Sequence, residues 1–402
     1  MLAETLQSPV AETRSPYDRA NSLFDRIVRP DVGFLGRRYS AFLACGMGGL
    51  ISSVALGLAL TWYQGLSFQF ILILSATSVA ALLVQTMVMK ILTGEETLVY
   101  YRHEVAIIAT AALTLWWLQQ PVWPYLDITI LAVGIFLVCG RVGCLMVGCC
   151  HGRPHQCGAR YQSAHATVGF TRYYVGIRLF PIQIVESAWV LVTVVVGVTM
   201  ILRGRAPGEA FAWYVIVYDV GRFAFEFVRG DPDRPYLAGF SEAQWTSVVL
   251  MVVILIGEAS GTLPFHTWHW AATAGVIIAM LVVLRHRARS GLARSQLLHP
   301  RHVREIATAL DRTDVPKDQS QDIVLVARTS LGVQLSTAAT PAEHGPVRHY
   351  TISLSGAEIS EDAARTVADL VLVLQRVSAP AHLTRGSVGV FHLVVEPAGS
   401  AS

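Results

Sequence analysis

The stretch Ile128–Tyr161 reads ITILAVGIFLVCGRVGCLMVGCCHGRPHQCGARY. From Ile128 to Val138 it carries no charge, so Arg141 places its guanidinium where a lipid-embedded helix would meet water. A charge in or near a bilayer is costly and is kept for function. Gly140, Gly143, Gly148 and Gly152 let backbone or ligand approach closely, and Cys144, Cys149, Cys150, His151 and Cys157 supply thiols and soft ligands. A plain glycine-rich turn needs neither the arginine nor this density of cysteines.

Composition extends the same reading to the whole chain. With 402 residues, 53% hydrophobic and only 15% charged, and a mean hydropathy of +0.48, the chain is too apolar for an ordinary soluble protein of its length and reads as a polytopic membrane protein. The net charge of +3 is small and its basic excess is local. That favours contact with a membrane surface, and no nucleic-acid partner is expected. Of the six cysteines, four lie between Cys144 and Cys157, with Cys139 just before them. Such crowding excludes the spread-out disulfide framework of a small secreted domain.

The expected architecture is an all-α polytopic membrane bundle of seven to eight transmembrane helices with a small C-terminal soluble α+β domain. Residues 1–38 form a polar, arginine-rich arm, expected to be flexible apart from a short surface helix near 21–28. Its length before the first apolar run exceeds a cleaved signal peptide, so the N-terminus is expected to be retained. Residues 39–285 hold the membrane domain. Apolar runs near 40–62, 67–90, 124–140, 182–202 and 266–284 suit membrane helices of about 20 residues, with weaker runs at 104–118, 209–228 and 243–257. Residues 286–320 are a basic linker and helix, with a helix at 301–311 and a polar linker over 313–321. Residues 321–402 are the soluble domain, with strands at 322–328, 331–337, 347–354 and 388–395 and a helix at 359–376. Arginine counting places both ends of an eight-helix chain in the cytoplasm, although Arg203 and Arg205 disagree.

Three further stretches carry polar residues that an apolar helix would not turn to lipid. In WYVIVYDVGRFAFEFVRGDPDRPYL, Trp213–Leu237, the residues Tyr218, Arg222, Glu226 and Arg229 are spaced four, four and three apart. On a helix they make one stripe, in which Glu226 orients the arginines and the surplus charge holds an anion; Asp219 is a further partner. In RLFPIQIVES, Arg178–Ser187, Pro181 opens a helix whose Gln183 and Glu186 share a face. In LVYYRHEVAI, Leu98–Ile107, His103 stands beside Arg102 and Glu104, and histidine is a side-chain type that can serve as a general base.

In this order, His103, then Gly140-Arg141-x-Gly143 with Gly152 nine residues on, then Pro181-x-Gln183-x-x-Glu186, then Gly221-Arg222-x-x-x-Glu226-x-x-Arg229, the chain resembles the bacterial prolipoprotein diacylglyceryl transferases over roughly residues 40–258. The resemblance implies a multi-pass enzyme of the bacterial cytoplasmic membrane. It would move the diacylglyceryl group of phosphatidylglycerol to the thiol of a lipoprotein-precursor cysteine, or another thiol acceptor, with glycerol phosphate leaving. It also implies catalytic roles for His103, Arg141, Arg222 and Glu226, and substrate contacts from Arg229, Tyr218, Gly143, Gly152, Gln183 and Glu186. No cofactor is implied. The family's signature faces the outer side of the membrane, whereas arginine counting puts the 141–180 loop inside.

This chain departs from that signature. Cys144, Val147 and Cys149 stand where the family carries asparagines and a glutamate, and Glu104 and Val105 follow a histidine that two glycines would follow. The branch is therefore divergent and cysteine-rich. Cys144, Cys149 and Cys150 are candidate reactive thiols, beside Arg141 and Arg153, and with His155 and Cys157 they are soft-ligand types. Their adjacency makes a tetrahedral site awkward, and no metal is assigned. A non-catalytic anionic-lipid-binding or transport-like protein, or a cysteine-dependent transferase with a different acceptor, stays open.

Overall fold

The computed structural model describes residues 5–6, 16–34, 36–94, 100–232, 234–289, 292, 294–313, 325–341, 346–377 and 379–397. In chain order, β1 (Thr5–Leu6), α1 (Asp18–Ile27) and the hairpin β2 (Asp31–Phe34) and β3 (Arg37–Ser40) lead into the bundle. Its first half comprises α2 (Ala41–Tyr63), α3 (Phe68–Thr93), α4 (Tyr100–Trp117) and α5 (Val122–Val147). A connecting segment follows, with β4 (Pro154–Arg160), α6 (Ser163–Ala166) and β5 (Arg178–Leu179). Then come α7 (Ile182–Leu202), α8 (Glu209–Phe225), the short hairpin β6 (Tyr236–Leu237) and β7 (Phe240–Ser241), α9 (Glu242–Ala259) and α10 (Thr267–Arg289). The tail holds α11 (Arg294–Leu297), α12 (Pro300–Thr313), β8 (Val326–Arg328), β9 (Val333–Thr340), β10 (Val347–Leu354), α13 (Glu361–Leu374), β11 (Ala381–Arg385) and β12 (Val390–Val395).

Among the described residues, six helices are long and apolar enough to cross a membrane: α2, 68–92 of α3, α5, α7, α9 and 267–287 of α10. The chain is a multi-pass membrane protein. α4 and α8, the shorter and more charged of the expected runs, are helices too and complete a bundle of eight among the described residues. α5 lies at its centre, packed on α2, α4, α7 and α8, which is why Ile128, Ile130 and Leu131 are fully buried while α3 keeps Leu83, Met87 and Ile91 exposed. Gly143 lets α2 close on α5: a Cβ there would lie 3.1 Å from the Cβ of Cys45 and 3.3 Å from the backbone of Phe42. Small residues of this kind let membrane helices pack without a hydrophobic drive between them.

The eight helices alternate in direction, so the arm, the 148–181 segment, the 226–241 segment and the tail share one face. Arg102 of α4 donates to Glu242 of α9 at 2.6 and 2.8 Å there, and Arg287 of α10 donates to the Gly239 carbonyl at 2.6 Å. On the opposite face Tyr63 donates to the Leu202 carbonyl.

Within the arm, the described residues include the helix α1. α1 is held to the connecting segment by the Asp25–Arg178 ion pair at 2.9 Å and by Asn21, which bonds Gly158 and Gln156. In the tail an antiparallel six-stranded sheet, ordered β1-β11-β12-β10-β9-β8, carries α12 and α13. β11 is an addition to the expected strands: its five residues, AHLTR, bury only Ala381 and show too little alternation to stand out. The expected strand at 322–328 begins at Val326, and residues 322–324, like 314–321 of the expected linker, lie outside the described residues.

Candidate active site at the polar end of a membrane cavity

A cavity of about 810 Å³ opens between α2, α3, α4 and α5. Its walls are apolar for most of their length, with Leu50, Leu74 and Phe136 among them. At the face bearing the loops it ends on Arg141, Arg222, Arg234, His103 and Glu104.

Backbone pairing brings the arginines together. Gly152 bridges Arg229, the Gly230 amide donates to the His151 carbonyl at 2.9 Å, and the Arg153 amide donates to the Val228 carbonyl at 3.1 Å. The segment after α5 is thereby zipped to the segment after α8. Glu186 of α7 is the centre of the result. Its Oε1 lies 2.9 Å from Arg141 and 3.9 Å from Arg222 and accepts from the Tyr218 hydroxyl at 3.2 Å; its Oε2 lies 3.8 Å from Arg229. Glu226 pairs with Arg222 at 2.7 Å and with Arg234, and Asp231 pairs with Arg229 at 2.9 Å and Arg234 at 2.6 Å. Burial alone would raise the Asp231 carboxyl, but Arg229 and Arg234 outweigh it and hold it well below the usual carboxylate range.

Four arginines thus face three carboxylates, leaving a surplus of one positive charge in this cluster. Several groups keep bonding capacity. Arg141 Nε, Arg229 Nη1, Glu186 Oε2 and Glu226 Oε2 are buried without a hydrogen-bond partner. Buried polar atoms are almost always paired, so such a group of exceptions marks a place for a ligand with both acceptors and donors.

The thiols lie on the same rim. Gly148, at φ +84°, ends α5 by returning its amide to the Cys144 carbonyl. Cys150 then adopts a left-handed φ of +54°, which turns the chain back, so the sulfurs of Cys144, Cys149 and Cys150 lie within 4.8 Å of one another. All three line the cavity. Hydrogen bonds from Cys144 and Cys149, helped by Arg229 and Arg141, pull the Cys150 thiol well below its ordinary value, and the same bonding pushes Cys149 up.

Of the residues singled out in the sequence, Arg141, Arg222, Glu226, Arg229, Tyr218 and Glu186 meet in one buried network. His103 lines the cavity from α4, with Nε2 3.2 Å from the Thr86 hydroxyl. Gln183 is turned to the chain rather than the cavity: it donates to the Cys149 carbonyl at 2.9 Å and pins the thiol turn. Gly143 and Gly152, expected at the substrate, serve packing. A Cβ on Gly152 would sit 2.5 Å from the Phe180 carbonyl. Arg234 and Asp231 were missed because they lie beyond the end of α8, where helical spacing no longer orders them; the dense charge of RGDPDR was the available signal.

Residues 104–260 match the family model described as prolipoprotein diacylglyceryl transferase. A protein of Clostridium tetani named phosphatidylglycerol–prolipoprotein diacylglyceryl transferase is 29% identical over 128 residues, which cover 32% of this chain and 49% of that protein. A namesake from Dehalococcoides mccartyi strain CBDB1 is 30% identical over 128 residues, covering 32% and 47%. A third, from Streptococcus agalactiae strain NEM316, is 33% identical over 86 residues, covering 21% and 33%. The chain spans about half or less of the length of these curated relatives. The matched segment contains Glu104, Arg141, Glu186, Arg222, Glu226, Arg229 and Arg234, so the buried ion network lies within the part of the chain that is similar to the prolipoprotein diacylglyceryl transferases.

Proposed function

We propose that this protein transfers the diacylglyceryl group of phosphatidylglycerol to an acceptor thiol, that of a lipoprotein-precursor cysteine being the first candidate, in the bacterial cytoplasmic membrane. One observation carries the reading. Arg141 of α5 and Arg222 of α8 both reach Glu186 at the polar end of one apolar cavity.

The cavity suits acyl chains, and its charged end suits a headgroup. Arg141 and Arg222 take the phosphodiester and stabilise the charge that builds on it as the glyceryl C–O bond breaks. Glu226 holds Arg222, while Glu186, hydrogen-bonded by Tyr218, holds Arg141. Arg229 is a secondary contact to the anion. The unused oxygens of Glu186 and Glu226 can accept from the headgroup hydroxyls, which favours a glycerol headgroup over a bare phosphate. His103 takes the proton of the incoming thiol. The thiolate attacks the glyceryl carbon, a C–S bond forms, and glycerol phosphate leaves with the oxygen and its electron pair.

The test uses the full chain in nanodiscs with headgroup-labelled phosphatidylglycerol and a lipobox peptide. Labelled glycerol phosphate and a thioether product are expected, and Arg141→Ala or Arg222→Ala should reduce their formation by about 100-fold or more. Tight phosphatidylglycerol binding with no release by the unmodified protein overturns the reading in favour of a non-catalytic lipid-binding protein.

A further inference from the structure

We propose that Cys144, Cys149 and Cys150 form a three-thiolate site for zinc, whose fourth coordination position opens to the cavity and binds the acceptor thiol. The proposal rests on the thiol-transfer reading above and adds to it the group that activates the nucleophile.

The three sulfurs come from one short piece of chain, and the local fold brings them together. Cys144 sits on the last turn of α5, Gly148 ends the helix, and the left-handed Cys150 folds the chain back towards Cys144. A β-carbon makes that conformation costly for anything but glycine, asparagine or aspartate. A cysteine held there points to a use for its sulfur. Gln183 fixes the carbonyl of Cys149 and so the turn itself.

The spacing suits the metal. At a zinc–sulfur distance of about 2.3 Å, tetrahedral thiolates lie about 3.8 Å apart, and small side-chain rotations close the sulfurs from the observed spread of up to 4.8 Å. The ligand set is all sulfur, which selects soft and borderline cations. His151 is the nearest histidine in sequence, but its Nδ1 bonds the Gly152 carbonyl and its ring packs edge-on to Phe170 and Tyr174. With three protein ligands the fourth position is left for substrate, the arrangement of a catalytic rather than a structural zinc. Three thiolates and a divalent ion leave one negative charge, and Arg141, Arg229 and Arg234 all act on Cys150. A zinc-bound thiol is a thiolate at neutral pH and keeps its nucleophilicity.

The step balances. The acceptor thiol binds zinc and gives up its proton to His103. Its sulfur attacks the glyceryl carbon, and the C–O bond breaks with its electron pair going to the phosphate oxygen, which takes the proton. No oxidant or reductant is used.

The experiment uses the purified full chain in detergent with zinc as the probe. About one zinc per chain is expected, with retention weakened about 100-fold or more in Cys149→Ser and Cys150→Ser. Should those variants fail to fold, alkylation of the unmodified protein gives the same information. Zinc should shield Cys144, Cys149 and Cys150 and leave the labelling of Cys157 unchanged. Zinc retention no better than in the serine variants, unshielded cysteines, or a disulfide among the three in freshly purified protein overturns the site. Chelation separates the two proposals. Thioether formation that proceeds undiminished in zinc-free protein overturns the role of zinc and leaves the transferase reading standing. Zinc bound without any transfer by the loaded protein overturns the transferase reading, and the acceptor role with it, while the binding site stands.

Discussion

Glu186 ties α5 to the segment around the end of α8, because a buried guanidinium needs an anion close by and Arg141, Arg222 and Arg229 share this one. Breaking a buried ion pair from one side costs about 3–5 kcal/mol, since the remaining charge stays out of water. Glu186→Gln should therefore lower the unfolding free energy by about that amount in denaturant titration and abolish glycerol phosphate release. Tyr218→Phe removes one hydrogen bond to the same carboxylate and should cost about 1.5–3 kcal/mol, with release falling severalfold or more. At this scale the sequence was informative where helical spacing orders the residues, as in Tyr218, Arg222 and Glu226. It was silent on Arg234, which reaches Glu226 from a non-helical segment, and it could not separate a glycine that admits ligand from one that admits a neighbouring chain, as at Gly143 and Gly152.

Elements are joined here by polar residues buried inside apolar runs. Asp127 lies in the first turns of α5, yet it caps a different helix: its oxygens accept the Gly208 amide at 2.8 Å and the Phe211 amide at 2.7 Å, at the start of α8. Asp127→Ala leaves two buried donors unpaired and should destabilise the bundle by about 2–3 kcal/mol, read as a lower thermal midpoint in detergent. Glu258 of α9 similarly accepts from His269 and from the Trp270 indole at 2.9 Å, joining α9 to α10. Neither pairing was legible, because a partner on another helix leaves no periodic trace. The helices themselves were legible, since a length of about 20 apolar residues fixes what a bilayer accepts.

Across the whole molecule the tail reaches the rim of the site. Its apolar core is continuous with Leu145, Tyr161 and Tyr174, and Arg301 of α12 donates to the Arg234 carbonyl and lies 5.3 Å from the Tyr236 ring. Arg301→Ala should loosen the Arg234 segment at a cost of about 1 kcal/mol and slow glycerol phosphate release roughly fivefold. His299 stacks edge-on to Tyr236 at 4.3 Å. Burial, with Arg153, Arg301 and Arg287 nearby, pushes its pKa from 6.5 down to about 4. Folded protein therefore prefers the neutral ring, so its contribution to docking is complete above about pH 6.5 and is lost as pH falls from 6.5 toward 4. Hydrogen exchange across 294–313 should rise over that window, and His299→Gln should flatten the rise. By itself the sequence determined the bundle, the soluble tail and most of the charged groups, because hydropathy and spacing act along the chain. Only the tertiary structure decided that three carboxylates and four arginines meet, that three thiols converge, and that the tail closes on them: a buried charge is set by what surrounds it in space, and those partners come from helices far apart in the chain.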